Sequence, residues 1–339
     1  MRNEADIIGR LCREIPSCMG ARHSVDVPLG IGDDAAVVRA PRGRDWVVST
    51  DAFIEGSHFL TRLHPPYPTG YKALARAVSD LAAMGAAPRY FLLTLALPAR
   101  RAGSWLRWFA RGMGHAARMF RMRLIGGDVS RDDHVIAALT VIGEAPREGV
   151  LTRSGGHPGD AVYVTGRLGA AQAGLEMLSR EGSRALVSRA GSYWIDRHLF
   201  PYPRLAIGRL LATRRLASAA MDISDGLSTD LGRLCAASGV GAVVHAEALP
   251  LAGEERYWAR DPAFRRDPHS DLQRALHGGE DYELLFTVPR RRLSRVPSRF
   301  RGVPITRIGE LTARRGVLLE SGGRTRILRP LGWDHFARR

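Results

Sequence analysis

Short apolar runs separated by helix-like patterns recur along this 339-residue chain, and this alternation constrains its fold more than any other feature. The apolar runs indicate strands over residues 46–49, 90–97, 135–142, 161–165, 241–245 and 282–288. The patterns between them indicate helices over residues 69–84, 104–120, 169–179, 203–212, 228–237 and 271–276. Strands and helices mixed along one chain predict an α/β (α+β) protein.

The chain has the length of about two domains. Its segment 146–159 is rich in glycine, arginine and proline and lies between two strand patterns. We therefore predict an N-terminal domain over residues 1–146 and a C-terminal domain over residues 147–339. Within the first domain, the clearest helix has Thr69 as its predicted N-cap and Gly85 as its stop.

The composition indicates a protein with a substantial core in a reducing compartment. Apolar residues make up 45% of the chain, which argues against disorder. The three cysteines, Cys12, Cys18 and Cys235, form no CxxC pair, so neither a disulfide framework nor a structural zinc site is expected. The N-terminus lacks the apolar segment of a signal peptide, and the longest apolar run is far shorter than the roughly 20 residues of a membrane helix. We expect a soluble, cytoplasmic protein.

The formal net charge of +16 leaves open a basic nucleic-acid-binding protein. Lys72 is the only lysine, so nearly all of the positive charge is arginine spread along the chain. The densest basic run, 290–301, has no aromatic residue before Phe300 and matches no nucleic-acid-binding motif. We interpret this run as solvated surface that would also attract anionic small molecules, and we expect no specific nucleic-acid partner.

Six groups of acidic residues lie in glycine-rich or turn-like contexts, and several follow directly on an apolar run. They are found at 30–34, 49–51, 79–80, 126–128, 222–226 and 278–281. Strand ends of open α/β sheets bind ligands, and glycine allows the backbone to approach a phosphate closely. Aspartate supplies the hard oxygen ligands that Mg²⁺ prefers. One such turn is weak evidence, but six together predict a site for magnesium and phosphate groups.

The motifs of several enzyme classes are missing from the sequence. It contains no GxxxxGK[ST] loop, no HRD or DFG kinase motif, no GxSxG and no HExxH. A carboxylate-rich site without an obvious nucleophile suits phosphoryl transfer, in which catalysis consists mainly of positioning and charge neutralisation.

A more specific signal comes from eight segments taken together. They are GIGDDAAVV (30–38), STDAFIEGSHF (49–59), YKALARAVSDLAAMGAAP (71–88), LIGGD (124–128), LTRSG (151–155), MDISDGLSTDL (221–231), GGEDYELLF (278–286) and GWDHF (332–336). In this order the segments resemble the thiamine-monophosphate kinase family, which belongs to the superfamily of aminoimidazole ribonucleotide synthetase. The resemblance covers nearly the whole chain.

This resemblance implies a two-domain aminoimidazole ribonucleotide synthetase-like fold. An N-terminal mixed sheet with helices would bind metal and ATP and form a homodimer, and a C-terminal α/β domain would complete the active-site cleft. The implied reaction is direct in-line transfer of a phosphoryl group from ATP to thiamine monophosphate, with several Mg²⁺ ions. Since the acceptor is a phosphate whose second pKa is near 6, no strong general base is required.

The resemblance also implies roles for single residues. It implies magnesium ligation by Asp34, Ser49, Thr50, Asp51, Asp80, Asp128, Asp222 and Asp225, among which Asp51, Asp80, Asp128 and Asp225 are the expected catalytic residues. It implies ATP contacts from Gly127, Asp128, Arg153 and Ser224. It implies contacts to thiamine monophosphate from His58, Glu280 and Trp333.

Several of these roles have alternatives. Asp33 is a further candidate metal ligand, Trp333 is either a core residue or a stacking partner of the substrate, and Glu280 either contacts the substrate or orients other groups. Asp80 lies at i,i+4 spacing from Arg76, which alternatively indicates an ion-pair ladder on the helix surface.

The sequence departs from the family at two positions. Val129 stands where threonine is common and Val78 where asparagine is common, which alters hydrogen bonding near the site but removes no expected ligand. A selenophosphate synthetase or an aminoimidazole ribonucleotide synthetase is the nearest alternative function within the superfamily.

Overall fold

The computed structural model describes residues 10–11, 13–15, 42–187, 192–252 and 268–334. The predicted ligand Asp34, its neighbour Asp33, and cysteines 12 and 18 lie outside the described residues. The chain divides into two compact units. The first comprises Met1–Leu81 and Ala86–Glu148, and the second comprises Ala82–Gly85 and Gly149–Arg339.

The first unit contains a four-stranded sheet and two long helices. Its strands are β1 (Arg44–Ile54), β2 (Ala87–Leu97), β3 (Arg123–Arg131) and β4 (Ile136–Pro146), in the order β1-β4-β2-β3. Only β2 and β3 are parallel; the other neighbours are antiparallel. Among the described strands, β1 and β3 are therefore the two edges of this sheet.

Helices α1 (Pro66–Ala83) and α2 (Ser104–Phe120) of the first unit pack backbone to backbone. A Cβ at Gly70 would lie 1.9 Å from the Phe109 carbonyl oxygen, and a Cβ at Gly112 would lie 1.8 Å from that of Tyr67. The helices can approach this closely only because both positions are glycine.

The start of α1 differs from the prediction. Thr69 lies inside the helix, which begins at Pro66. The Thr69 hydroxyl donates to the Pro65 carbonyl oxygen at 2.7 Å, four residues back, so it is not free to cap the helix. Gly85 has a φ of 70° just after the helix, as expected of a glycine that ends it.

The second unit contains an eight-stranded sheet. Its strands are β5 (Ala161–Thr165), β6 (Ala219–Ile223), β7 (Gly241–His245), β8 (Glu283–Val288), β9 (Arg299–Phe300), β10 (Val303–Thr312), β11 (Gly316–Ser321) and β12 (Arg324–Ile327). The order is β12-β11-β7-β10-β5-β8-β6, with β9 paired to β10. Only β7 and β11 are parallel.

Helices cover both faces of this sheet. The helices packed on it are α5 (Leu205–Thr213), α6 (Leu227–Ser238) and α7 (Pro268–His277), whereas α3 (Ala170–Glu181) and α4 (Ser192–Leu199) pack together in a separate core. Leu285 of β8 packs in a core with residues of α6 and α7, whereas its neighbours Leu284 and Phe286 pack in another core with residues of α5. This alternation, which follows the pleat, buries β8 on both sides.

A buried ion pair links β8 to the start of α5. The Arg204 guanidinium donates to both carboxylate oxygens of Glu283, including a bond from Nε of 2.6 Å, and the two side chains are 6% and 4% exposed. The Thr165 hydroxyl also donates to Glu283, at 2.6 Å. Burial alone would lower the pKa of Arg204, but the charge of Glu283 outweighs it and raises this pKa.

The α/β fold with two domains of mixed strands and helices is confirmed, but several elements were not predicted. Missing from the predictions are β3, β6, β9 to β12 and α4. Moreover, Asp51 and Asp128 lie inside strands, not in turns as their contexts indicated, whereas Asp80 lies inside α1, as the helix predicted over residues 69–84 requires. Edge strands such as β1 and β3 tolerate polar residues because they leave one side unpaired.

None of the described helices is long and apolar enough to cross a membrane.

Candidate active site

The first group of predicted ligands lies where β1 meets α1. The Ser49 hydroxyl donates to Asp80 Oδ2 at 2.5 Å. Arg76 Nη2 lies 3.5 Å from Asp51 Oδ2, and the same guanidinium stacks over the ring of Phe53 at 5.1 Å. These contacts connect Asp80 and Arg76 of α1 to β1, and the ion-pair ladder along the helix stays an alternative.

Thr50 and Asp128 lie on the opposite face of the sheet from Asp51. Paired residues of neighbouring strands point to the same face of a sheet. Asp128 pairs with Thr94, Thr94 pairs with Ala138, and Ala138 pairs with Ala52, so Asp128 and Ala52 point to one face. Asp51, one residue from Ala52, therefore points the other way. β1 and β3 are also three strand spacings apart, about 14 Å. Since each Mg²⁺–oxygen distance is about 2.1 Å, Asp51 and Asp128 of one chain cannot share one ion.

Glycine at position 127 is required by the approach of β2. A Cβ there would lie 1.9 Å from the Leu93 carbonyl oxygen. Gly127 pairs with Leu93, two residues after a register shift between Phe91 and Leu92. Gly127 thus fixes the edge strand that presents Asp128, and the predicted contact of Gly127 with ATP stays a prediction.

His58 lies on the turn that follows β1. Its Nδ1 accepts the backbone N–H of Ile54 at 3.1 Å, so in the neutral ring the proton is on Nε2. Nε2–H is a hydrogen-bond donor, as a contact with an anionic substrate requires.

Glu55 holds this turn in place. Its carboxylate accepts hydrogen bonds from the Thr61 hydroxyl at 2.6 Å, from Arg101 at 3.0 Å and from the Val135 N–H at 3.0 Å. Burial alone would raise the pKa of Glu55, but these hydrogen bonds and the charge of Arg101 outweigh it and lower this pKa. The carboxylate is thus ionised and saturated with donors, which suits a structural role.

The loop after β6 carries the ligands predicted in the second unit. Asp222 is buried in the edge strand β6, and Asp225 lies in the turn before α6. Arg233 Nη1 donates to Asp225 Oδ2 at 2.5 Å. The predicted roles of Asp222 and Asp225 as metal ligands stay predictions.

The backbone amides of this loop are already occupied. Asp230 Oδ2 accepts the N–H groups of Ser224, Asp225 and Gly226 at 3.0, 3.0 and 3.1 Å. The sequence had indicated that glycine-rich loops would offer their amides to phosphate. These three amides cannot, because a buried carboxylate holds them. Burial, followed by the charge of Asp225, raises the pKa of Asp230 to about 6.

The carbonyl groups of the same loop bind two further segments. Tyr282 N–H donates to the Ile223 oxygen at 2.9 Å, and Glu280 N–H donates to the Ser224 oxygen at 2.7 Å. Trp333 N–H donates to the Asp225 oxygen at 2.9 Å. Two residues predicted to contact the substrate, Glu280 and Trp333, are thus anchored on neighbouring carbonyl groups.

The side chain of Glu280 is oriented by a buried histidine. Glu280 Oε2 lies 3.3 Å from Nδ1 of His198, which is 1% exposed. Glu280 and Tyr282 have φ angles of 69° and 49°, a conformation that costs non-glycine residues about 1–3 kcal/mol each and is typical of functional loops. Trp333 is half-buried, so it is neither a fully buried core residue nor an exposed platform.

Asp281, next to Glu280, serves the fold instead of the site. It accepts the N–H groups of Gly169 at 2.7 Å and Ala171 at 3.2 Å, and so caps the start of α3. Burial raises the pKa of Asp281 to about 7, against the effect of these hydrogen bonds.

Arg153 is exposed, and its backbone is held by neighbouring elements. Its carbonyl oxygen accepts the Ser238 hydroxyl at 3.0 Å, and the Thr152 oxygen accepts the Ala220 N–H at 2.8 Å. The segment is thereby attached to β6, whereas the guanidinium remains in solvent. Its predicted contact with ATP stays a prediction.

The described residues fit magnesium bound together with a substrate. Among them, no three histidine, cysteine, aspartate or glutamate side chains are grouped closely enough to hold a metal alone. Mg²⁺ usually binds through one or two carboxylates and completes its octahedron with water and substrate phosphates. The donors present are hard oxygens in small sets, such as Ser49 with Asp80, which is the chemistry Mg²⁺ requires.

Sequence reasoning missed the residues that position the others. Asp230, Arg233, His198 and Glu55 act on predicted site residues but were assigned no role. Only Asp230 had a local signal: an aspartate four residues after the glycine that precedes a helix is placed to bind the free amides there. The others act over separations such as the 82 residues between His198 and Glu280.

Comparisons with known proteins extend over nearly the whole chain. Residues 32–145 match the family "AIR synthase related protein, N-terminal domain", and residues 157–320 match "AIR synthase related protein, C-terminal domain". The thiamine-monophosphate kinase of Escherichia coli (strain K12) is 41% identical over 317 residues, which cover 92% of this chain and 93% of that protein.

Solved structures agree with these matches. The crystal structure of thiamine-monophosphate kinase from Stenotrophomonas maltophilia K279a is 33% identical, with a TM-score of 0.80, over 93% of this chain and 96% of that one. AaThiL complexed with AMPPCP and TMP is 32% identical, with a TM-score of 0.75, over 99% of both chains. On the extent and identity of these matches, the chain belongs to the thiamine-monophosphate kinase family.

Proposed function

We propose that this protein transfers the γ-phosphoryl group of ATP to thiamine monophosphate, giving thiamine diphosphate and ADP. The observation that carries the proposal is the match to AaThiL, which covers 99% of both chains and was solved with AMPPCP, an ATP analogue, and TMP. The hard-oxygen donors of both units fit this chemistry. Because the reaction uses ATP, we place it in the cytoplasm.

The obstacle to this reaction is repulsion between two phosphorylated ligands. The nucleophile is an oxygen of the acceptor phosphate, largely deprotonated at pH 7, so the protein needs no strong base. Two unit charges about 4 Å apart repel by roughly 4 kcal/mol at an effective dielectric constant of 20. Magnesium, when bound, neutralises part of this charge. Asp51 and Asp80 of the first unit would supply carboxylate ligands for such ions, and so would Asp222 and Asp225 of the second.

The remaining roles concern the two ligands themselves. Arg153, whose side chain is exposed, would pair with the ATP phosphates. His58 would donate its Nε2–H to the phosphate of thiamine monophosphate. Glu280, oriented by His198, and Trp333 would hold the rings of that substrate.

We propose further that Asp51 and Asp128 serve different magnesium ions. The two carboxylates lie on opposite faces of the first sheet, on edge strands that are about 14 Å apart. Asp51, Ser49 and Asp80 form one group, and Asp128 with Thr50 lies on the other face. This division supports the expectation of several ions rather than one cage.

We propose that the face carrying Asp128 binds a second copy of this chain. Val48 on this face is 60% exposed, and Trp46, Leu92 and Ile142 beside it are only partly buried. An apolar sheet face of this kind is typical of an interface. Because Thr50 lies on the same face, the interface would border the predicted metal ligands.

Replacing Val48 by aspartate tests the dimer. A charge on this face costs several kcal/mol when buried, so we expect the Val48→Asp protein to sediment as a monomer while the native protein sediments as a dimer. Ile327→Asp, at a residue that is 72% exposed on β12, is the control and should leave the mass unchanged. A native protein that is monomeric at micromolar concentration, or a dimeric Val48→Asp protein, would contradict the proposal.

The activity itself is tested by ADP release. We expect ADP to form from ATP only when both thiamine monophosphate and magnesium are present, and not with unphosphorylated thiamine. ADP release driven by an aminoimidazole precursor or by selenide would instead indicate another enzyme of the superfamily. RNA binding with steep salt dependence and no ATP consumption would indicate a nucleic-acid-binding protein.

A further inference from the structure

Three successive peptide groups after β6 are hydrogen-bonded at both ends. Their N–H groups, from Ser224, Asp225 and Gly226, all donate to Asp230 Oδ2. Their carbonyl oxygens accept the N–H groups of other segments, contributed by Tyr282, Glu280 and Trp333. A single carboxylate oxygen on one side of the loop is therefore connected, through three rigid peptide planes, to the backbone of the residues that would hold the substrate.

Asp230 itself has no capacity left for a ligand. It is 0% exposed, and its second oxygen accepts a hydrogen bond from Arg233 at 2.9 Å. The same Arg233 nitrogen also donates to the carboxylate of Asp225. Asp230 therefore contacts neither solvent nor any surface that a nucleotide could reach, and any effect on the reaction must act through the loop.

We propose that Asp230 is a positioning residue that sets both ends of the active site at once. Through Arg233 and the loop amides it fixes the carboxylate of Asp225, which would hold magnesium. Through the three peptide planes it fixes Glu280 and Trp333, which would hold the substrate rings. The inference rests on the proposed function, since it assigns these two ends to magnesium and to thiamine monophosphate.

The chemistry of the side chain explains why a carboxylate is needed. One oxygen accepts three N–H groups, which favours a charged acceptor over a neutral one. An asparagine whose oxygen faced the amides would turn its own NH₂ group toward the Arg233 guanidinium, so that two donors would meet. Asp230→Asn therefore weakens the amide bonds or releases Arg233, and in either case loosens the loop.

The chain contains a matched control for a merely structural effect. Asp271 on α7 is also a buried aspartate, and it also pairs with an arginine three residues later, Arg274, at 3.1 Å. The pair of Asp230 with Arg233 has the same spacing, at 2.9 Å. Within the described part of the chain, no hydrogen bond or ion pair joins Asp271 to a predicted site residue. Asp271→Asn therefore reproduces the loss of a buried charge without disturbing the loop after β6.

The experiment compares Asp230→Asn with Asp271→Asn in the full-length protein. Three quantities are measured: Mn²⁺ binding in the presence of AMPPCP by calorimetry, KM for thiamine monophosphate, and Tm. We expect Asp230→Asn to weaken Mn²⁺ binding and to raise KM for thiamine monophosphate, each by about 10- to 100-fold. Asp271→Asn should lower Tm but change neither constant.

The outcomes separate this inference from the proposed function. A native protein that releases no ADP with thiamine monophosphate contradicts the function. An active native protein whose Asp230→Asn variant matches Asp271→Asn in both constants contradicts the role of Asp230 alone. If Asp230→Asn does not fold, Asp230→Glu is used, which keeps the charge but displaces the oxygen. Unchanged constants in that variant would equally overturn the inference.

Discussion

Asp51→Asn is expected to lower magnesium-dependent ADP release by about 100-fold or more, which corresponds to about 2.7 kcal/mol of lost transition-state stabilisation. Asparagine has nearly the same shape as aspartate but no charge, so it holds a divalent cation much less tightly. The change also removes the ion pair with Arg76, at 3.5 Å, which is partly exposed. That loss should cost about 1 kcal/mol of stability or less.

Asp45→Asn provides the control for this result. Asp45 lies on the same strand, its side chain is 49% exposed, and it pairs with Arg147 at 3.5 Å. This variant also loses one surface ion pair, and we expect its turnover to match that of the native protein. Steady-state rates of the two variants and of the native protein, measured over a range of Mg²⁺ concentrations, test this expectation. If Asp51→Asn keeps the native rate and Mg²⁺ dependence, Asp51 is not a metal ligand.

Arg204→Met is expected to lower the free energy of unfolding of the second unit by about 3–5 kcal/mol. Arg204 and Glu283 form a buried pair with two hydrogen bonds, so removing the cation leaves the Glu283 carboxylate charged and poorly solvated in the core. Urea unfolding followed by circular dichroism measures the loss. The cost arises from the stranded charge rather than from the attraction of the pair, since burial of both ions is itself unfavourable.

Two comparisons test that explanation of the Arg204 effect. Arg307→Met removes an exposed pair with Glu310, at 3.4 Å with both side chains about half exposed, and should cost about 0.5 kcal/mol or less. Replacing both partners of the buried pair, as Arg204→Met with Glu283→Leu, should recover much of the lost stability. If Arg204→Met is no worse than Arg307→Met, the pair does not hold β8 to α5 in the way its geometry indicates.

The α/β fold was readable from the sequence because buried strands leave continuous apolar runs. The predicted strands 161–165 and 241–245 coincide with β5 and β7, which lie inside the second sheet. β3 was missed because Gly126 and Gly127 interrupt its pattern, and β12 because all four of its residues are exposed. Periodicity reports burial, so strands with exposed residues or glycine interruptions are detected poorly.

The candidate site was predictable in its residues but not in its arrangement. Motifs identified Asp51 and Asp128, yet only the strand pairing shows that they face opposite sides of one sheet. The glycine-rich context of Asp128 wrongly indicated a turn, because the sequence does not show the strand pairing. Gly127 makes room for a neighbouring strand instead of forming a loop. His198 could not be found from sequence, since its contact with Glu280 depends on the packing of α4 against the loop before β8.

The three carbonyl groups of the loop after β6 have a consequence for how this fold can diversify. Each accepts a backbone N–H, at positions 280, 282 and 333, and every amino acid except proline supplies one. The side chains at these positions can therefore be exchanged without detaching their segments from the loop. Selection can alter which ring the substrate site admits while the phosphate-handling machinery keeps its shape. A new acceptor specificity is therefore open to single substitutions at positions 280 and 333, whereas Tyr282 is buried.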